Sequence, residues 1–379
     1  MTLPIQKKAL LSLAVAVCTL GAAELGLRLF GFKFMPKEIP LVIWNIEEDK
    51  QFDSLQALHR MDPECLWTPQ PLAVIPWSPG ESINAHTYRG PLLKVNPKTP
   101  PFRVAFIGDS STFGWGIDFD QTYAAQCAAS LSEAGIPTEP LNAGVIGYTI
   151  LQGLSRYRAL VREYRPDVVV LAFGAVNDHY AAPSRESDRE KTLKLSEESA
   201  GLGSTGRWLR ENLRIAHFVD SMRFERSGGM KALRKRYRDS RRREFASLAE
   251  VGQRDYSGVR RISLVEYRRY LEELVTEIQA DGARVILLSM PRKLASEGEA
   301  PVLVEYSYAT EAAATRLQVP LIDVRSHLRS YGEVYERGLF LDNWHPRPKG
   351  HQLIAEDLLP LLTSIAAERG HPATADQGD

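Results

Sequence analysis

The sequence predicts an α/β fold of three layers, in which helices cover both faces of a doubly wound, five-stranded parallel sheet. The first observation is a set of five apolar, β-rich runs, at 103–108, 140–145, 167–174, 284–290 and 319–324. Such near-continuous apolar runs are typical of strands that are buried on both faces, as in parallel sheets. The second observation is that most runs are followed by a turn signal and an amphipathic stretch, so strands and helices alternate along the chain.

The stretch before the fourth run shows clear helical periodicity. Its apolar residues recur at steps of three and four, at Leu264, Tyr267, Leu271, Leu274 and Ile278. Ser263 and Glu266 have the spacing of a capping box, and Gly282 is placed to end the helix. We therefore expect a helix between Ser263 and Gly282 that packs one face on the sheet.

The composition permits one large α/β domain with additional segments, since 44% of the 379 residues are hydrophobic and 25% are charged. The 47 basic residues balance 47 acidic ones, so no net charge attracts nucleic acid, and we expect no nucleic-acid partner. Cys18, Cys65 and Cys127 have the spacing of neither a disulfide framework nor a zinc site. A bond between Cys65 and Cys127 stays open.

Residues 1–35 have the composition of a segment that meets a membrane. Two lysines precede an uncharged run from Ala9 to Ala23, which spans only ~22 Å as a helix, short of the ~30 Å hydrocarbon core. This length is typical of a signal peptide, and small residues stand at the cleavage spacing before Glu24.

Two features favour an uncleaved membrane anchor instead. Glu24 and Arg28 lie one turn apart and can pair. Apolar character continues to Phe34, which gives about 24 residues and enough length to span a bilayer. We expect an anchor that holds the domain outside the cytoplasm, in the periplasm, with secretion after cleavage as the alternative.

The rest of the chain divides by composition and periodicity. Residues 36–101 are rich in proline, tryptophan and polar residues and are interpreted as an irregular linker and cap with short strands, including "INAHTYRGPLL". Residues 102–368 form the predicted α/β domain, with a helical insertion at 179–262. Residues 369–379 are interpreted as a disordered tail.

The insertion contains two distinctive stretches. "RSGGMKALRKRYRDSRRR" is strongly basic, a pattern typical of a solvated helical face, with contact to anionic lipid headgroups or to a polyanionic glycan as alternatives. "RWLRENLRIAHFVDSMRF" (207–224) has an amphipathic pattern and is predicted to form a lid over the rim of the sheet.

Four polar blocks stand where ligands of such sheets bind. They are Gly-Asp-Ser at 108–110, Asn-Ala-Gly at 142–144, Gly-Ala-Val-Asn-Asp at 174–178 and, after the last strand, Asp-Asn-Trp-His at 342–345. Because ligands of doubly wound sheets bind at the carboxyl ends of the strands, we expect the four blocks to gather at one edge.

Together the blocks offer every group that acyl transfer from an ester requires. Ser110 can attack the carbonyl carbon, His345 can accept its proton, and Asp342 can hold the other ring nitrogen of the histidine. The backbone N–H groups of Ser110 and Gly144 and the side-chain amide of Asn177 can donate to the developing oxyanion. None of these roles requires a metal or a cofactor, and we expect neither.

The candidates also have structural interpretations. Ser110 can start a helix, Asn177 and Asp178 can form an Asx turn, and Asp342 can cap the last helix. His351 is expected to pack or to cap, because its spacing from the fourth block matches no zinc-ligand pattern.

With the four blocks in this order, the sequence resembles the GDSL-type or SGNH hydrolases, a family named for a Ser, Gly, Asn and His in separate blocks. The resemblance covers residues 102–365 and includes "GDSSTFGWGI", which is similar to a bacterial subgroup with an N-terminal membrane segment. It implies a flavodoxin-like sheet and these roles: nucleophile Ser110, oxyanion-hole donors Gly144 and Asn177, and triad partners His345 and Asp342. Ser111 replaces the leucine of the family name and Ala175-Val176 precede the asparagine, but neither departure removes a catalytic group.

We therefore expect a serine-dependent ester hydrolase that acts at the bacterial cell envelope, on an ester of a glycan or a lipid. An O-acyltransferase that modifies an envelope polysaccharide uses the same acyl-enzyme and stays open. A non-catalytic carbohydrate-binding scaffold is a further alternative, although the intact Ser110, Asn177 and His345 count against it. Four aromatic residues near the blocks suit sugar stacking or core packing: Trp115, Tyr148, Tyr180 and Trp344.

Overall fold

A computed structural model describes the chain from its N-terminal helix to its closing helix. The described residues are 4–32, 58–97, 100–180, 186–201, 203–229, 231–232, 235, 253 and 256–371. Before the sheet come helix α1 (Ile5–Leu29) and two antiparallel hairpins, β1 (His59–Asp62) with β2 (Leu66–Pro69) and β3 (Val74–Ile75) with β4 (Ser78–Ser82). Residues Gln6–Leu29 of α1 have the length and apolar composition of a membrane span.

The central sheet is parallel throughout. Its strands are β5 (Phe102–Gly108), β6 (Thr138–Asn142), β7 (Val168–Ala172), β8 (Arg284–Leu288) and β9 (Leu321–Ile322). They lie in the order β6-β5-β7-β8-β9, so the direction of winding reverses beside β5 and opens a crevice at the carboxyl ends of β5 and β7. The predicted doubly wound, five-stranded sheet is confirmed.

The helices follow the alternation that the sequence predicts. In chain order they are α2 (Ser110–Phe113), α3 (Tyr123–Glu133), α4 (Ile150–Ala159), α5 (Asp188–Gly201), α6 (Gly203–Asn212), α7 (Arg214–Arg226), α8 (Leu264–Ala280), α9 (Leu294–Glu299), α10 (Val302–Leu317), α11 (Val324–Ser330), α12 (Gly332–Leu339) and α13 (Pro348–Glu368). Helix α8 is the predicted amphipathic helix. Ser263 and Glu266 form the capping box, and Gly282 follows the helix with φ +87°, so this prediction is confirmed.

Successive side chains of β5 point to opposite faces of the sheet and build two apolar cores. Ala105 and Ile107 pack with residues of α4, α8 and α10. Val104 and Phe106 pack with residues of α3, α11 and α13. This burial on both faces explains why the strand reads as a continuous apolar run.

The two buried cysteines lie on opposite faces of the sheet. Cys65 belongs to the first core and Cys127 to the second, so the disulfide that the sequence left open does not form. Both thiols are free, and burial raises the pKa of Cys65 to about 12.

Two strand predictions differ from the structure. The run at 140–145 leaves the sheet at Asn142, whose side-chain amide donates to the Thr112 carbonyl and whose Oδ1 accepts from the Gly144 N–H. The stretch "INAHTYRGPLL" forms no strand, and its pairing is limited to single bridges at Ile83 and Arg89. Most of the basic run at 226–243 and residues 372–379 of the predicted tail lie outside the described residues.

Candidate active site

Ser110 stands at the point where β5 passes directly into α2. Asp109 is the N-cap residue of this short helix, and its side chain accepts from the Ser111 N–H at 2.9 Å. The capping role that the sequence allowed for Ser110 thus falls to Asp109, which leaves the Ser110 hydroxyl for other contacts.

That hydroxyl meets the fourth block across the rim of the sheet. Ser110 Oγ lies 2.8 Å from His345 Nε2, and His345 Nδ1 lies 2.6 Å from Asp342 Oδ2. A carboxylate only accepts hydrogen bonds, so Nδ1 carries the proton and Nε2 is left to accept from the serine. The three side chains therefore form a hydrogen-bonded Ser–His–Asp triad, an arrangement that is suited to nucleophilic attack by the serine.

The loop that carries His345 is fixed by the same aspartate. Asp342 Oδ1 accepts from the backbone N–H groups of Trp344 at 2.8 Å and of His345 at 2.9 Å. Burial opposes ionisation of Asp342, but the hydrogen bond and charge of His345, with these two N–H donors, outweigh it and lower the pKa to about 2. Asp342 is therefore ionised at neutral pH.

Asn177 follows β7 and is tied to the N-cap of α2. Its Nδ2 donates to Asp109 Oδ2 at 2.9 Å, and both residues are buried. The second amide hydrogen of Asn177 has no acceptor among the described residues. This bond joins the first and third blocks, and burial of the Asp109 carboxyl raises its pKa.

Asp178 holds the loop after β7, a role that the sequence allowed for either Asn177 or Asp178. Its carboxylate accepts from the Ile150 N–H at the start of α4, at 2.8 Å, and from the Gly174 N–H at 3.3 Å. Burial raises the pKa of Asp178 to about 7. The loop is thus held by Asp178, while Asn177 faces Asp109.

Gly144 lies against the backbone of α2, but its N–H is already engaged. A Cβ at this position would meet Phe113 N at 2.5 Å, so only glycine allows the close approach. Its N–H donates to Asn142 Oδ1 at 3.1 Å. Gly147, in the same loop, has φ +77°, and its N–H has no acceptor among the described residues. The sequence motifs do not distinguish Gly147, although "NAGVIG" contains both glycines.

His351 belongs to the packing around the site. Its Nδ1 accepts from the Tyr123 N–H at 3.2 Å, and the two rings stack with centroids 5.5 Å apart. The prediction that His351 packs or caps is confirmed. The described residues contain no group of three or more His, Cys, Asp or Glu side chains that can hold a metal ion.

Two buried arginines that the sequence did not reveal hold the loops of the site. Arg89 donates to the carbonyls of Phe113 at 3.0 Å and Ile117 at 2.7 Å, just after α2. Arg261 pairs with Asp188 at 2.7 Å and donates to the Gly147 carbonyl at 2.8 Å. No local pattern marks either arginine, because their partners are distant in sequence.

An aromatic surface adjoins the hydrogen-bonded Ser110, His345 and Asp342 side chains. The half-buried ring of Trp115 stacks on His345, with centroids 5.4 Å apart, and Trp77 packs behind it at 4.8 Å. The other aromatic candidates are buried: Tyr148, Tyr180 and Trp344. Trp115 is therefore the aromatic residue of the four that is exposed beside His345.

Helix α7, within the predicted lid, reaches the same region. Phe224 belongs to one buried apolar cluster with Phe113 of α2 and Ile146 of the Gly144–Gly147 loop. The insertion thus shares a core with elements on either side of Ser110.

Comparison with known proteins gives one family match. The chain matches the GDSL-like lipase/acylhydrolase family over residues 106–353, which include all four polar blocks. No curated protein matches the chain.

Several solved structures show distant similarity. An α/β hydrolase enzyme from the metagenome of Lake Arreo, Spain, is 19% identical, with a TM-score of 0.44 over 69% of this chain and 95% of that chain. An acetylxylan esterase from Geobacillus stearothermophilus is 17% identical, with a TM-score of 0.43 over 69% and 93% of the two chains. The acetyl xylan esterase AlAXEase is 17% identical, with a TM-score of 0.43 over 68% and 98%.

Proposed function

The chain belongs to the GDSL-like lipase/acylhydrolase family and is a carboxylic ester hydrolase, and on this premise we propose that it acts through an acyl-enzyme on Ser110. The observation that carries the proposal is the hydrogen-bonded line from Ser110 Oγ through His345 to Asp342. No other role so readily explains a buried serine hydroxyl aimed at a histidine that a carboxylate orients.

The reaction proceeds in two steps. Ser110 Oγ attacks the ester carbonyl carbon while its proton passes to His345 Nε2, and the protonated ring then gives that proton to the leaving alcohol. The ionised Asp342 stabilises the imidazolium form of His345. Water attacks the acyl group by the reverse route and releases the acid and the free serine.

The oxyanion is assigned to donors from three blocks. The Ser110 N–H lies in the first turn of α2, where N–H groups have no acceptor within the helix, and Asn177 has a second amide hydrogen beyond the one given to Asp109. The loop at 144–147 supplies the third donor. Gly144 can serve only if its N–H leaves Asn142, whereas the N–H of Gly147 needs no such exchange.

The substrate is an ester of a cell-envelope glycan or lipid. Trp115, beside His345, offers an apolar face of the kind that packs on sugar rings or acyl chains. Helix α1 serves as an uncleaved anchor, because Glu24 and Arg28 form the expected pair at 2.7 Å and both contact the insertion. The proposal places the domain on the extracytoplasmic side, where the envelope ester lies.

The test uses the detergent-solubilised full chain. It should hydrolyse a short-chain aryl ester and take up a fluorophosphonate on Ser110. The Ser110→Ala variant should lose both properties and remain folded. Ser111→Ala is the matched control, because this neighbouring buried hydroxyl contacts the Trp344 carbonyl at 3.4 Å and the Asp109 side chain, not His345, and it should keep labelling and turnover. Undiminished labelling of Ser110→Ala would contradict the assignment.

A further inference from the structure

The end of α1 is built into the junction between α6 and α7. The N-cap residue of α7, Leu213, has no side chain that can cap, and Glu24 of α1 replaces it. The Glu24 carboxylate accepts from the Arg214 N–H at 3.0 Å and from the Ile215 N–H at 2.9 Å. One charged side chain of the apolar helix thus satisfies the open N–H groups that begin α7.

Arg28, the positively charged partner of Glu24, caps the other helix of the junction, at the end of α6. Its Nη2 donates to the carbonyl of Asn212, the last residue of α6, at 2.8 Å, while its Nε pairs with Glu24 at 2.7 Å. A single ion pair on α1 therefore caps the end of α6 and the start of α7. Just beyond α1, the Phe32 ring makes an edge contact with Phe218 of α7, with centroids 5.8 Å apart.

Helices α6 and α7 carry large apolar side chains that the protein leaves exposed. Trp208 is 58% exposed, and Leu209, Phe218 and Met222 are exposed as well. Phe218 and Met222 are four residues apart and share one face of α7. Large apolar side chains exposed beside an apolar helix of membrane-spanning length point to a partner of low polarity.

The length of α1 indicates what that partner is. Arg28, which pairs with Glu24, lies 20 positions or about 30 Å of helix beyond Lys8, so this ion pair comes at the far boundary of a ~30 Å hydrocarbon core. The junction with α6 and α7 must then lie at the same depth as that boundary. Tryptophan and phenylalanine side chains are favoured there, because an apolar body can enter the lipid while polar groups stay in the headgroup layer.

We propose that α6 and α7 rest in the interface of the bilayer that α1 enters, with Trp208, Leu209, Phe218 and Met222 turned to the lipid. The segment that the sequence predicts as a lid is thus a membrane platform. This inference presupposes the anchor but is independent of the ester chemistry.

The platform places the candidate active site near the membrane surface. Helix α7 begins at the junction with α1, and Phe224 near its other end belongs to the same buried apolar cluster as Phe113 of α2, the helix that begins at Ser110. Ile215 and Phe224 are nine positions apart, or about 14 Å of helix. Esters at the membrane surface, such as lipid-linked esters, are therefore within reach.

The experiment measures tryptophan emission of the full chain in two kinds of vesicle. Both contain phosphatidylcholine with a minor fraction of phosphatidylglycerol, and in one kind the acyl chains are brominated. The emission of the wild type minus that of the Trp208→Phe variant gives the contribution of Trp208 to the emission. This contribution should fall by about half or more in brominated vesicles, because a ring at headgroup level contacts the upper acyl chain.

Trp77→Phe provides the matched control, since Trp77 lies in the cap region and donates to the Ile117 carbonyl at 3.0 Å. The contribution of Trp77 should be equal in the two vesicles. Equal emission of Trp208 in both vesicles overturns the platform. Equal quenching of Trp208 and Trp77 overturns it too, since lipid contact would then not be specific to α6. Neither result depends on hydrolysis, so failure of the platform and failure of the proposed esterase are distinguishable.

Discussion

Replacing Asn177 by alanine separates a catalytic amide from a structural one. The substitution removes the Nδ2 donor that lies 2.9 Å from Asp109 Oδ2 and leaves that buried carboxylate with one fewer partner. A hydrogen bond to a charged buried group contributes about 1.5–3 kcal/mol to the free energy of unfolding. At about 2–4 °C per kcal/mol, the melting temperature should fall by about 3–12 °C.

The expected loss of rate is larger than this destabilisation explains. If the second amide hydrogen of Asn177 donates to the oxyanion, its removal costs about 3 kcal/mol of transition-state stabilisation and lowers kcat about a hundred- to a thousand-fold. The loss should appear in kcat more than in KM, because the bond strengthens only as charge develops on the carbonyl oxygen. The assay is steady-state hydrolysis of an aryl ester at a temperature where the variant is fully folded.

Asp109→Ala is the control variant, because it removes the partner that positions the Asn177 amide but keeps the amide itself. It removes the acceptor for both Asn177 and the Ser111 N–H, and should therefore destabilise the fold more than Asn177→Ala, while the Asn177 amide remains. We expect it to retain more kcat than Asn177→Ala. The oxyanion role is refuted if Asn177→Ala keeps kcat within about tenfold of the wild type.

The remaining predictions concern the anchor and a buried histidine. The mature protein should stay in the membrane pellet through an alkaline carbonate wash and begin upstream of Ala9; a soluble product that starts at Glu24 would show that α1 is a cleaved signal peptide. Burial, helped by the charges of Arg89 and His345, lowers the pKa of His351 from 6.5 to about 3, so the stability it supports above pH 6.5 is lost as the pH falls towards 3. His351→Asn keeps an acceptor for the Tyr123 N–H but cannot titrate, so its melting temperature should fall less steeply below pH 6.5 than that of the wild type, and equal slopes would disprove the effect.

Local pattern and topology rules were sufficient for the sheet and for the place of the site. The apolar runs predicted all five strands because burial on both faces leaves a direct trace in composition, and α8 followed from its periodicity and capping box. The edge where the four blocks gather followed from the parallel topology, since the carboxyl ends of such strands meet at one edge. The roles of Ser110, His345 and Asp342 in catalysis remain predictions.

The sequence could not predict which groups form hydrogen bonds with each other, because the partners are far apart in the chain. Ser110 and His345 are separated by 235 positions, and no local signal gives the orientation of either side chain. The same holds for the Gly144 N–H, which the sequence assigned to an oxyanion and which donates to Asn142 in the structure.

What the sequence by itself determined about this protein is therefore its layers, its doubly wound parallel sheet and the chemical types at its rim. The tertiary structure alone decided which donors are free and which segments hold them. Arg89 comes from a stretch that the sequence predicts to be a linker, yet it holds the segment that follows Ser110. Glu24 and Arg28 read as a pair within one helix, yet they also cap two others. The physical reason is that periodicity records burial, which each segment experiences by itself, whereas a hydrogen bond exists only once folding has brought two distant groups together.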